Sequence, residues 1–106
     1  MSVIVTLRVN GNPQELERYA AENPGKMAAI IEQAKAHGVI AHRFYGSEDG
    51  KLMVIDEWPD TASFQAFFTE SEAEIGPMMQ AVGVTTEPEV SFWNELETGD
   101  AIGWGA

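Results

Sequence analysis

The sequence predicts an α+β fold in which a four-stranded antiparallel sheet carries helices on one face. Three observations lead to this prediction: segments rich in β-branched residues that alternate in polarity, a strong hairpin signal near the middle, and two stretches with helical periodicity. The 106 residues have the length of one domain, so we expect a single domain over residues 1–106. Its core spans about residues 2–96, and residues 97–106 form a Gly-rich tail.

A strand and a helix follow each other near the N-terminus. Residues 3–9 alternate apolar side chains toward one side, which is typical of a half-buried strand. Asn12 and Pro13 then predict a helix start, since Asn is a good N-cap and Pro fits the first turn. Asn23-Pro24 repeats that signal, so we expect a break there and a second helix to about His37.

The hairpin signal lies in the middle of the chain. Residues 39–46 and 52–58 are predicted strands, and Glu48-Asp49-Gly50 lies between them. A glycine at the third loop position suits a type I turn that a left-handed residue closes. The sequence therefore predicts two neighbouring antiparallel strands here.

The second half of the chain predicts two further helices and a last strand. Pro59-Asp60-Thr61 starts a helix, and Ser71 with Glu74 matches a capping box, so another helix begins there. Gly76-Pro77 inside this stretch predicts a kink or restart, because proline cannot donate to the helical ladder. The final strand covers about residues 89–96.

The predicted order is β-α-β-β-α-β with both helices broken, which is the ferredoxin-like arrangement of split βαβ units. In this arrangement the helices cover one face of the sheet only. The other face also carries apolar side chains, namely Ile4, Tyr45, Met53 and Ile55. A second copy packed sheet against sheet is the simplest cover, so we expect a homodimer.

The amino-acid composition argues against several classes of binding partner. The chain has 17 acidic and 6 basic residues, a net charge of −11, and no cysteine. All of that net charge lies in residues 52–106, which hold eleven acids and no Lys, Arg or His. The acidic balance argues against nucleic acid and against an anionic membrane surface, and the missing cysteine excludes thiolate chemistry. Without a targeting pattern or an apolar run of about 18 residues, we expect a cytoplasmic protein.

One segment carries a family resemblance. Residues 53–64 read Met-Val-Ile-Asp-Glu-Trp-Pro-Asp-Thr-Ala-Ser-Phe. With the element order, the size and the broken second helix, this segment resembles the dimeric α/β-barrel superfamily, and within it the antibiotic-biosynthesis-monooxygenase-like domains. The resemblance spans roughly residues 2–96 and implies a dimeric barrel; members include cofactor-free monooxygenases, haem-degrading enzymes and isomerases. Because residues 70–82 lack the late-helix His of the haem-degrading members, we expect no cofactor.

The hairpin register decides which residues can act together. If residues 48–50 form a three-residue loop, the numbers of facing residues sum to 98, and His42 faces Asp56. A four-residue loop would reverse the parity and bring Arg43 to that side instead. The resemblance implies that this side, which includes Trp58, faces a pocket between the sheet and the helices.

A carboxylate beside an imidazole orients the ring, which is how a general base is built, so we predict His42 and Asp56 as the catalytic pair. The predicted substrate contacts are apolar and aromatic walls with one polar residue: Phe44, Trp58, Phe64, Phe67, Met78, Met79, Trp93 and Asn94. The competing interpretation is that these side chains only pack in the core. No spacing of His residues indicates a metal site, so none is predicted.

These residues predict a protein that binds a small apolar or aromatic molecule, and the resemblance implies cofactor-independent monooxygenation as a reaction that they could support. A proton-transfer isomerase and a non-catalytic ligand-binding or regulatory dimer use the same residues and stay open as alternatives. We expect Trp104, in the tail, to dock on its own subunit or on a partner.

Overall fold

The structure is a computed structural model that describes residues 2–103. The elements along that range are β1 (Val3–Asn10), α1 (Pro13–Glu22), α2 (Pro24–Ala36), β2 (Ala41–Gly46), β3 (Lys51–Trp58), α3 (Thr61–Glu70), α4 (Glu72–Ala81) and β4 (Glu89–Trp93). The strands form one antiparallel sheet in the order β2-β3-β1-β4. The predicted α+β, ferredoxin-like fold is confirmed, and Trp104 lies outside the described residues.

The first helical half follows its start signals. The Asn12 side chain accepts hydrogen bonds from the Gln14 and Glu15 amides at 2.9 and 3.3 Å, and Pro13 opens α1. The predicted break at Asn23-Pro24 separates α1 from α2. α2 ends one residue before the expected position, and the left-handed Gly38 (φ 94°) turns the chain toward β2.

The second helical half corrects two expectations. Asp60 caps α3, because its carboxylate accepts a 2.7 Å bond from the Ser63 amide, and this bond lowers the pKa of Asp60. Ser71 makes no capping bond to α4, so the predicted capping box is wrong; its hydroxyl donates instead to Gln33 of α2.

Of the predicted kink or restart at Gly76-Pro77, the restart does not occur. α4 runs unbroken from Glu72 to Ala81, with Pro77 inside it. Pro77 leaves the carbonyl of Ala73 without a donor, and Ala73 is exposed, so water can hydrate that carbonyl. Gly76 also lacks the Cβ that the proline ring would crowd, which removes one reason to stop the helix.

The hairpin has the three-residue loop, with Gly50 left-handed at φ 81°. Ser47 donates its amide to the Lys51 carbonyl at 2.9 Å, and facing residues of β2 and β3 sum to 98 as predicted. β2 starts at Ala41 rather than 39, because the Val39 amide still bonds the Ala34 carbonyl at the end of α2.

β4 ends at Trp93, three residues before the predicted end. Trp93 pairs with Ile4, and β1 begins only one residue before Ile4. Beyond Trp93, β4 therefore has almost no neighbouring strand left to pair with. Residues 94–103 are irregular and exposed, including Leu96 and Ile102. None of the helices in residues 2–103 has the length and apolarity that a membrane crossing requires.

β1 is the centre of the packing. It lies between β3 and β4, and its side chains Val5, Leu7 and Val9 are buried under the helices. At its end, the Asn10 side chain bonds the amides of Thr85 and Thr86 at 2.9 and 3.0 Å. This side chain therefore fixes the loop that leads from α4 into β4.

The end of β2 passes close to the start of α1. A Cβ at Gly46 would lie 2.6 Å from the Cβ of Pro13 and 2.7 Å from its Cγ. Neither a strand end nor a rigid proline ring can move freely, so only glycine fits this position without displacement.

Gly46→Ala is expected to lower the free energy of unfolding by about 1–3 kcal/mol, because the new methyl group overpacks against Pro13. Gly25→Ala is the matched control, since no atom outside the neighbouring residues lies within 4 Å of its Cβ position and the site is in helix α2. That control should raise stability by about 0.5–1 kcal/mol. Urea unfolding of both variants measures the difference, and equal effects would contradict the close-contact argument.

Candidate active site

A cavity lies between the sheet and helices α2, α3 and α4. Its volume is about 90 Å³, and it is partly open to solvent. Most lining side chains are aliphatic, aromatic or methionine; the two polar residues on its wall are His42 and Asp56. An apolar cleft with a few convergent polar groups is the usual form of a small-molecule site.

His42 and Asp56 form the hydrogen-bonded pair that the register predicted. They face each other on β2 and β3, and His42 Nδ1 lies 2.7 Å from Asp56 Oδ1. The Asp56 side chain is 6% exposed, whereas that of His42 is 30% exposed. The carboxylate is therefore held inside, and the imidazole is the more accessible member of the pair.

Trp58 contacts the second oxygen of the Asp56 carboxylate. It is fully buried, and its indole N–H donates to Asp56 Oδ2 at 3.1 Å. Phe64 and Phe67 pack on its ring at centroid distances of 5.9 and 5.3 Å. The predicted placement of Trp58 as a wall is corrected here: it is not among the cavity-lining residues and contacts Asp56 instead.

This geometry fixes the roles of the imidazole nitrogens. Both Asp56 oxygens accept, one from Trp58 and one from His42, so Nδ1 of His42 must be the donor. Among residues 2–103, Nε2 has no hydrogen-bond partner, and it is not a buried unsatisfied atom. In the neutral ring, Nε2 therefore offers its lone pair to a ligand, which is the form that a general base needs.

Most of the predicted aromatic and methionine contacts line the cavity. Phe44 stands edge-on to His42, with ring centroids 5.0 Å apart and an interplanar angle of 86°. Phe64, Phe67, Met78 and Met79 form the wall from the helix side. The structure thus brings five of the eight predicted contact residues to one cavity.

Trp93 and Asn94 lie elsewhere, which corrects both predicted placements. In β4 the parity puts Phe92 toward the helices, so Trp93 points to the opposite face of the sheet. There it is 55% exposed and donates its indole N–H to Thr6 Oγ1 at 2.9 Å. Asn94 follows the strand end and is exposed. The register of β4 could not be read from its sequence, because apolar residues at 92 and 93 suit either parity.

The sequence reasoning missed the contribution of α2 to the cavity. Met27, Ile30 and Ile31 are half-buried and line it, together with Ala34 at the buried end of the helix. Their i, i+3, i+4, i+7 spacing was the available signal, since it marks one apolar helical face. That spacing alone does not say whether the face meets a filled core or a cavity.

The second histidine lies outside the cavity. His37 Nε2 lies 2.6 Å from Glu70 Oε2, an exposed carboxylate at the end of α3. The two histidines therefore contact carboxylates through opposite ring nitrogens. Within the described range, no group of three or more His, Cys, Asp or Glu side chains is placed to hold a metal ion.

Several solved structures share this fold. An antibiotic biosynthesis monooxygenase matches with a TM-score of 0.62 at 16% identity, over 89% of this chain and 98% of that one. SnoaB, a cofactor-independent oxygenase from Streptomyces nogalater, matches in a mutant form with a TM-score of 0.62 at 15% identity, over 94% and 98%. A dimeric ferredoxin-like protein from an uncultured marine organism has a TM-score of 0.62 at 11% identity, over 91% and 89%.

The predicted resemblance to antibiotic-biosynthesis-monooxygenase-like, ferredoxin-fold proteins is confirmed at the level of the fold. No protein-family model matches the chain, and no curated protein matches it. At these sequence identities the likeness establishes the fold, and the activity has to be argued from the site itself.

We expect neutral His42 to carry its proton on Nδ1 and neutral His37 to carry its proton on Nε2. The reason is that each carboxylate accepts from the nitrogen that it contacts. Long-range ¹⁵N–¹H correlation spectra distinguish the two tautomers in one sample, with each histidine serving as control for the other. A His42 signal with the proton on Nε2 would contradict the base geometry.

Proposed function

We propose that this protein binds a small apolar or aromatic molecule in the cavity and removes a proton from it through His42. The observation that carries the proposal is that His42, whose Nε2 has no protein partner among residues 2–103, lines a cavity that is apolar apart from His42 itself and Asp56. A polar atom that the fold leaves available in such a place is suited to a ligand.

The chain supplies the parts of a general base. Asp56 orients the imidazole and would stabilise the imidazolium that forms when Nε2 takes a proton. Trp58 holds the second oxygen of Asp56, so the carboxylate cannot turn away from His42. Phe44, packed edge-on to the imidazole, restricts its rotation. A base held in one orientation contributes about 10²- to 10⁴-fold to a proton transfer.

Cofactor-independent oxygenation is the reaction that we propose to follow this step. A CH₂ group activated by a neighbouring phenol or enol becomes electron-rich on deprotonation and can reduce dioxygen itself. One oxygen atom then replaces the two hydrogens as a carbonyl, and the other leaves with them as water. The similar fold of a cofactor-independent oxygenase supports this choice, and proton-transfer isomerisation remains the alternative that shares the first step.

We also propose that two copies pack through the sheet face opposite the helices. This face carries Ile4, Met53 and Ile55 at its centre, with the exposed side chains of Tyr45 and Trp93 beside them. A monomer would leave this apolar surface in water, which marks it as an interaction surface. A ferredoxin-like protein of similar fold that is itself dimeric supports a dimer of this chain.

His42→Ala should lower turnover by about 10²- to 10⁴-fold, because the base is lost while the cavity remains. His37→Ala is the matched control, since its pair with Glu70 lies outside the cavity, and it should keep full turnover. The assay is oxygen uptake with a panel of phenols and cyclic enols that carry an activated CH₂ group. Unchanged turnover in His42→Ala would exclude His42 as the base.

The same panel separates the three candidate functions. Incorporation of ¹⁸O from ¹⁸O₂ into the product indicates monooxygenation. Exchange of ligand C–H for deuterium without oxygen uptake indicates an isomerase. Binding without either reaction indicates a non-catalytic ligand-binding protein.

Light scattering at low micromolar concentration should give twice the chain mass of 11.6 kDa. Ile55→Lys should shift the mass toward the monomer, because it places a charge at the centre of the apolar face. Gln65→Lys adds the same charge on the exposed side of α3 and should leave the dimer intact. A wild-type mass of one chain would refute the sheet-to-sheet assembly.

A further inference from the structure

We infer that the cavity selects ligands without negative charge that are no larger than one six-membered ring and carry a single hydrogen-bond donor to His42 Nε2. This inference deepens the proposed function and rests on it. It follows from three separate properties of the cavity: its volume, the charge of its wall, and the direction of its one available acceptor.

The volume of the cavity limits the size of the ligand. The cavity measures about 90 Å³, whereas an apolar protein cavity of about 150 Å³ is known to hold benzene. A single ring therefore already takes up the enclosed space and extends toward the side that is open to solvent. A second fused ring would either displace packed side chains such as Phe67 and Met78, which are buried, or lie in solvent at the opening, where it gains little apolar contact. Such overpacking usually outweighs the extra apolar contact.

Charge excludes anions. Among the described lining residues there is no Lys or Arg, and Asp56 supplies a buried carboxylate. A ligand carboxylate in this cavity would lose its hydration without gaining a fixed cation beside it. Neutral His42 does not compensate, because its one N–H is on Nδ1 and donates to Asp56, which leaves Nε2 without a proton to donate to an anion.

The acceptor nitrogen of His42 determines which polar group the ligand needs. His42 Nε2 is an acceptor in the tautomer that Asp56 imposes, so the complementary ligand group is a donor such as a phenol or enol O–H. The remaining wall is apolar, so further polar groups on the ligand would be buried without partners. One donor on an otherwise apolar ring is therefore the matching chemistry.

The test is a set of NMR titrations with four probes: phenol, toluene, 2-naphthol and benzoate. Phenol is expected to bind at least about fivefold more tightly than 2-naphthol, although the larger apolar surface alone would favour 2-naphthol. Benzoate is expected to bind at least about tenfold more weakly than phenol, because its charge is desolvated.

Toluene has the same ring as phenol but no hydrogen-bond donor, so comparing the two measures the contribution of the donor. The phenol-to-toluene affinity ratio is expected to fall at least about fivefold in His42→Leu relative to wild type, since the variant removes the acceptor and the ratio cancels ring hydrophobicity. Should His42→Leu fold poorly, the His42 Nε2 chemical shift in wild type replaces it; phenol should move that signal and toluene should not.

Each outcome points to a different part of the argument. Tighter binding of 2-naphthol overturns the size limit, and benzoate binding equal to phenol overturns the charge exclusion, while the site itself stands. A phenol-to-toluene ratio that is unchanged in His42→Leu overturns the donor assignment. If no probe binds and no cavity methyl signal moves, the proposed function fails together with the inference.

Discussion

The buried carboxylate of Asp56 is the constraint on which the site depends. A charged side chain that is 6% exposed is costly to bury unless hydrogen bonds replace its hydration, and here two donors do so. His42 on the edge strand β2 contacts one oxygen, and the indole of Trp58, which lies on β3 with Asp56, donates to the other. A slip of the hairpin by one residue would turn His42 to the other face and leave one oxygen of Asp56 unpaired. The carboxylate therefore favours the register that also builds the cavity wall.

Burial is what distinguishes the two histidine–carboxylate pairs of this chain. Both have short contacts, 2.7 Å for His42–Asp56 and 2.6 Å for His37–Glu70. The Glu70 side chain is 64% exposed, so water screens that pair and competes for its hydrogen bonds. Asp56 is sheltered by Trp58, and its pair with His42 borders an apolar space. The residue types are equivalent, and only the surroundings make one pair suited to proton transfer.

The sequence could predict the element order and the His42–Asp56 pairing because both depend on local signals. A three-residue loop closed by Gly50 sets the parity of the hairpin, and parity alone decides which side chains meet. Trp93 was misplaced because β4 has no such turn to fix its parity. The role of Trp58 was missed because an indole N–H bond between residues of one strand leaves no periodic signal. Cavity volume depends on how α2 packs over the sheet, which the spacing of its apolar residues does not specify.

The distribution of charge makes the proposed assembly compatible with a strongly acidic chain. Two copies that each carry −11 repel each other unless the excess lies away from their contact. The strand registers place three basic and two acidic side chains on the open face: Arg8, Arg43, Lys51, Glu57 and Glu89. Arg8 and Glu89 already pair at 2.8 Å. This face is thus close to neutral, and the excess acid lies on the helices, loops and tail. Apolar contact through Ile4, Met53 and Ile55 can therefore act there against little electrostatic repulsion, whereas the helix side of the molecule stays acidic and opposes association.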